Sequence, residues 1–145
     1  DLVILSGGIS KGKKDYVRPA LESLIGPPIF HGVAQRPGKP FAFWQGVAAL
    51  PGNPNSTLTT FQRYLVPLLN KMVGTGSPPP TNLSLASPIK QHPKLTQFLA
   101  AKFTADGKAQ ALSPQNSGDF LTAMSGTGYL EIPPGEGTIK TALFR

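Results

Sequence analysis

Leu50-Pro51-Gly52-Asn53-Pro54-Asn55-Ser56 closes an apolar strand-like run and opens a long helical pattern. Two prolines and a glycine make a stiff turn here. Pro54 falls where the first turn of a helix tolerates a residue without an N–H. Ser56 and the unbonded N–H groups of a helix start are equipped to receive an anion. A plain helix entry would not need so rigid a build, so Pro51, Gly52, Asn53, Pro54 and Ser56 are read as binding residues. The helix is expected over about 55–73, with Leu58, Phe61, Leu65, Leu68, Leu69 and Met72 on one face and a kink or break at Pro67.

Two shorter loops stand ahead of this one. Ser6-Gly7-Gly8-Ile9-Ser10-Lys11-Gly12-Lys13-Lys14-Asp15 follows Leu2–Leu5, which has the look of a buried parallel strand. The glycines free the backbone to turn sharply and approach a ligand, so Ser6, Gly7, Gly8, Ser10 and Gly12 form a candidate phosphate cradle. Asp15 has two open readings: a cap for the helix expected over about 16–25, or a carboxylate holding magnesium, a cation that wants oxygen ligands. In Arg36-Pro37-Gly38-Lys39-Pro40, the tight Pro37-Gly38 turn spaces two cations. They are either a bound oxyanion's partners or solvated surface charges. His31 lies in a strand expected over 29–34, and a lone strand histidine is read as structural. Phe41–Trp44 and Val47–Leu50 read as a hairpin about Gln45-Gly46.

The remaining order is simpler. Gly74-Thr75-Gly76-Ser77-Pro78-Pro79-Pro80 is a composition boundary and divides the chain into 1–76 and 77–145. Beyond it six short strands are expected at 83–89, 96–104, 109–112, 120–124, 128–132 and 138–144, with turns at 105–108 and 133–137. That spacing suggests a small antiparallel barrel or sandwich. The 145 residues include no cysteine, which excludes disulfides and thiolate metal sites and agrees with a cytoplasmic protein. No apolar run approaches the ~20 residues of a membrane span. The net charge is +7, yet Lys and Arg are scattered, so anionic small ligands are expected rather than nucleic acid. A strand pattern directly at Asp1 reads as part of a longer protein.

Three motifs in fixed order, Ser-Gly-Gly-Ile-Ser-x-Gly-x-x-Asp-Tyr at 6–16, Arg-Pro-Gly-Lys-Pro at 36–40 and Leu-Pro-Gly-Asn-Pro-x-Ser at 50–56, resemble the molybdenum insertases, the bacterial MoeA proteins and the E domain of gephyrin. Gln115-Asn116-Ser117 and Tyr129-Leu130-Glu131-Ile132-Pro133 resemble that family's last domain. The resemblance implies an α/β fold: part of a three-layer molybdopterin-binding domain with a mainly parallel sheet, followed by a small β-barrel. It implies molybdenum insertion into adenylylated molybdopterin, a homodimer, and Mg2+ as the cation. Asp15 then resembles the magnesium-linked carboxylate. The 6–12 loop with Pro37, Gly38 and Pro51–Pro54 resembles the pterin-phosphate site, and Arg36, Lys39, Ser56 and Thr122 the molybdate-binding set. Against the family, the first half is absent, Arg36 stands for Lys and Thr122 for Ser. Asn55 replaces a small apolar residue, and Leu99-Ala100-Ala101 carries no cation after Phe98. Two alternatives are a non-catalytic scaffold or dimerisation module of the same fold and a molybdopterin adenylyltransferase-like protein, against which the tail beyond Pro80 argues.

Overall fold

A computed structural model describes residues 1–10, 15–113 and 119–145. Gly12 and the run Gln115-Asn116-Ser117 therefore lie outside the described residues. The chain folds as two units, one of residues 1–33 and 37–69, the other of residues 34–36 and 70–145.

The first unit is built on strand alternation. Strands β1 (Val3–Ser6), β2 (Phe30–His31), β4 (Ala42–Trp44) and β5 (Val47–Leu50) form one sheet in the order β1-β5-β4-β2. Along β5, Val47 and Ala49 pack with Trp44, Ile9, Val17 and Leu21, while Ala48 and Leu50 pack with Phe41, Phe61, Tyr64 and Leu65. Successive side chains thus enter opposite cores, as a period of two requires when both faces are covered. Helix α1 (Val17–Ile25) covers one face. The other is covered by a continuous helical run from Pro54 to Met72. Three layers result, as the resemblance implied.

Two details differ from the sequence reading. The sheet is not mainly parallel: only β1–β5 is parallel, and β4 runs antiparallel to both β5 and β2. The cause is the two-residue Gln45-Gly46 turn between Trp44 and Val47, with Gly46 at φ 78°, which closes a hairpin. β1 is also an edge strand, paired only with β5 in that order, and its Val3 and Ile4 are exposed rather than buried.

Pro67 acts on the long helix one turn upstream of itself. The run divides into α2 (Pro54–Thr60), a π-helical turn at Phe61–Leu65 and α3 (Val66–Met72). A proline at 67 cannot bond the carbonyl of Arg63 and its ring crowds that carbonyl. The wider turn absorbs the conflict: the Val66 N–H reaches back five residues to the Phe61 carbonyl.

The second unit contains a closed barrel. Strands β6 (Thr81–Lys90), β7 (Thr96–Phe103), β8 (Ala109–Ala111), β9 (Gly128–Ile132) and β10 (Thr138–Phe144) pair in the cycle β7-β8-β6-β10-β9-β7. Their inward residues, Leu85, Ala101, Ala109, Leu130, Ile132 and Ala142, make its core. Ala101 thus points into this core, and its neighbour Ala100 is also buried. β3 (Gln35–Arg36) adds in parallel to the start of β7. The 105–108 turn joins β7 to β8 around Gly107 at φ 76°. One strand expectation fails: Phe120–Met124 is a short helix, α4, because the Asp119 carboxylate caps it by accepting from the Thr122 N–H at 3.1 Å.

Candidate functional site

The parallel pairing of β1 with β5 places two of the three motif loops side by side. Ser6 lies opposite Leu50 in that register, so both loops leave the sheet at its carboxyl edge, where open α/β sheets bind ligands. The Gly7 N–H donates to the Leu50 carbonyl at 2.9 Å. The Ser6 hydroxyl donates to the Pro51 carbonyl at 3.3 Å. Gly52 approaches so closely that a Cβ there would stand 3.2 Å from Gly7 Cα. Backbone lies on backbone, which explains glycine at both positions.

Gly7 and Gly8 take φ of 89° and 70°. A Cβ on Gly8 would lie 2.7 Å from Val17 Cγ2, and the Gly8 carbonyl accepts from the Val17 N–H at 3.1 Å. Ile9 is buried with Ala42, Trp44 and Ala49, so its side chain plugs the loop into the core beneath α1. The N–H groups of Gly8, Ile9 and Ser10 are hydrogen-bonded to no described residue. Consecutive unbonded amides on a left-handed turn form a concave receptor for anions.

Asp15 is half-buried in the turn that leads from this loop into α1. The helix cap is Tyr16, whose side chain makes no capping bond. Among the described residues, no three His, Cys, Asp or Glu side chains cluster to hold a metal. Magnesium does not need such a cluster, because it takes most of its ligands from water and substrate phosphates rather than from a protein cage.

The third loop is divided. Lys39 is exposed in the first unit, next to the buried Gly38 at φ 94°. Its carbonyl accepts from the Val33 N–H at 2.9 Å. Arg36 is exposed on β3 of the second unit, opposite Gln97. At the start of α2, Asn53 is the cap and accepts from the Ser56 N–H at 3.2 Å and the Ser56 hydroxyl at 3.4 Å. Pro54 has no N–H, so the helix start offers fewer donors to an anion than its sequence suggests. In the second unit the Thr122 hydroxyl donates to Asp119 Oδ2 at 2.7 Å, which commits its proton to a carboxylate.

Some supporting residues carry no local sequence signal. The Thr57 hydroxyl bonds the Pro51 carbonyl and also the Asn53 carbonyl, the latter at 3.0 Å, tying α2 to its own entry loop. His31 Nε2 lies 3.1 Å from the Ile9 carbonyl, and its Nδ1 lies 2.8 Å from Arg18 Nη1. Arg18 in turn pairs with Glu22 at 2.7 Å, a link that the four-residue spacing on α1 makes legible.

Comparison with known proteins agrees with this geometry. Residues 1–71 match the family described as a probable molybdopterin binding domain. The molybdopterin molybdenumtransferase of Synechocystis sp. is 35% identical over 142 residues, covering 91% of this chain and 34% of that protein. That of Synechococcus elongatus is 36% identical over 141 residues, covering 93% of this chain and 35% of that protein. The structure of the molybdopterin biosynthesis moeA protein from Pyrococcus horikoshii OT3 superposes with a TM-score of 0.77 at 22% identity, over 99% of this chain and 34% of that one. The last likeness shows the fold. The α/β unit is thus of the molybdopterin-binding class. The chain as a whole, matched across both units, belongs to the molybdopterin molybdenumtransferase family. It spans about a third of the length of the curated relatives it matches.

Proposed function

We propose that this chain is the C-terminal portion of a molybdopterin molybdenumtransferase, acting in molybdenum cofactor biosynthesis, and that it carries the pterin-phosphate side of the site. The observation behind this reading is the run of three amides at Gly8, Ile9 and Ser10, which follows directly on the Ser6-Gly7 step packed on Pro51 and Gly52 at the carboxyl edge of a parallel strand pair. Such amides receive a phosphate without carrying a charge of their own. Asp15, with the substrate's phosphate oxygens, would hold Mg2+, which neutralises charge during cleavage of the adenylate anhydride. Molybdate is a dianion, and Lys39 and the Ser56 hydroxyl, both of the first unit, are the partners we assign to it. We assign the functional unit as a homodimer.

The test is a titration of molybdopterin, with and without magnesium, against this chain and its Asp15→Ala variant. Metal-dependent binding that weakens in the variant supports the reading. Binding that neither needs magnesium nor responds to the substitution removes Asp15 from it, and no binding by either protein removes the pterin site from this chain. A second reading, a non-catalytic scaffold of the same fold, has one observation in its favour. The Thr122 hydroxyl proton is already given to Asp119, and that carboxylate repels an oxyanion. A scaffold shows no molybdate affinity; the transferase reading requires it, and requires that Lys39→Ala lower it.

A further inference from the structure

We infer that His31 is a positioning residue for the Gly8–Ser10 amide cradle, resting on the reading that this loop receives a phosphate. Arg18 can only donate a hydrogen bond and the Ile9 carbonyl can only accept one. His31 therefore carries its proton on Nε2, donates it to Ile9 at 3.1 Å, and accepts from Arg18 Nη1 at Nδ1 at 2.8 Å. The Arg18–Glu22 ion pair, 2.7 Å across one turn of α1, fixes the far end of the relay.

The consequence falls on the loop. Gly7 is held through its N–H to Leu50, Gly8 through its carbonyl to Val17, and Ile9 through its carbonyl to His31. Three successive residues are each tied by one backbone group, and their anchors lie on β5, α1 and β2. The peptide plane between Ile9 and Ser10 is tied at its carbonyl by His31, and the N–H of the same plane belongs to Ser10. Without that bond this peptide plane is free to rotate against the Ile9 side chain seated in the core, and the Ser10 N–H turns with it. A site 1 Å out of register loses much of its affinity, which is why a support of this kind matters. His31 touches no ligand and acts through Ile9.

Three variants of the full chain test this. His31→Leu removes both bonds. His31→Gln keeps an amide N–H for Ile9 and an amide oxygen for Arg18 at similar spacing. Arg18→Met cuts only the outer link. Backbone NMR order parameters at Gly8–Ser10 read the clamp without ligand, and molybdopterin titration reads its use. In His31→Leu the order parameters fall from the rigid range, about 0.85, to below about 0.6. Affinity drops about tenfold, as loss of one oriented amide implies. His31→Gln restores both, and Arg18→Met gives smaller changes in the same direction. Unchanged order parameters in His31→Leu overturn the inference. So does a drop that His31→Gln fails to restore. Should His31→Leu not fold, order parameters in Arg18→Met equal to those of the natural chain overturn it instead. If the natural chain binds no molybdopterin while the order parameters respond as expected, the functional reading fails and the clamp stands.

Discussion

Substituting Gly8 by alanine tests the loop geometry in two separable parts. The backbone at Gly8 has φ 70°, a left-handed conformation that costs an L side chain about 1–2 kcal/mol. The added Cβ would also meet Val17 Cγ2 at 2.7 Å. That methyl cannot swing aside at leisure, because Val17 Cβ and N follow at 3.3 and 3.5 Å and a β-branched side chain is stiff at χ1. Overpacking of this kind costs roughly 1–3 kcal/mol. Restricting the unfolded chain returns about 0.4–1 kcal/mol. The expected net loss is about 1–4.5 kcal/mol, a large share of the ~5–15 kcal/mol that holds an ordinary domain. Urea unfolding followed by fluorescence of Trp44, the chain's one tryptophan and a buried residue of the same unit, measures it. A double-mutant cycle with Val17→Ala then separates the parts: the overlap is relieved, the φ cost stays, and the two changes couple favourably by about 1–3 kcal/mol. A loss under about 0.5 kcal/mol for Gly8→Ala alone, or strict additivity in the cycle, would refute the packing described for this loop.

Asn53→Ala should destabilise the first unit by about 1 kcal/mol, since it removes the acceptor for the Ser56 N–H at the start of α2, and Asn53→Asp should return most of that loss in the same urea assay. Asp106 in the β7–β8 turn has its carboxyl lowered from 3.8 to about 2, first by its bond to Lys108 and then by that to Thr104. Because the folded value is the lower one, this contribution to stability is complete above the unfolded value and is lost as pH falls from there through about 2. An NMR titration in which Lys108→Ala leaves the Asp106 midpoint unmoved would contradict the assigned cause.

What the sequence made legible was local chemistry. Gly-rich turns, a two-residue hairpin, strand alternation and a proline next to a helix entry each follow from φ, from a missing N–H or from a period of two, and each appears at its expected place. The failures have non-local causes. The run at 120–124 reads as a strand by composition, but one carboxylate at Asp119 turns it into a helix. Leu2–Leu5 reads as an inner strand because it is apolar throughout, yet burial depends on neighbours that an apolar pattern does not specify.

The candidate site divides along the same line. Ser6–Ser10 and Pro51–Asn53 were legible because each motif contains the conformational reason for its own shape. Their meeting was not legible, since it rests on the register of β1 against β5 and on Gly52 fitting over Gly7. His31 shows the limit most clearly. Its bonds cross 22 residues to Ile9 and 13 to Arg18, and nothing within a window around residue 31 points to either. Arg36 makes the converse point. Only Pro37 and Gly38 separate it from Lys39, yet pairing with β7 draws it into the barrel unit while Lys39 stays with the α/β unit. A motif contiguous in sequence is therefore shared between two folding units.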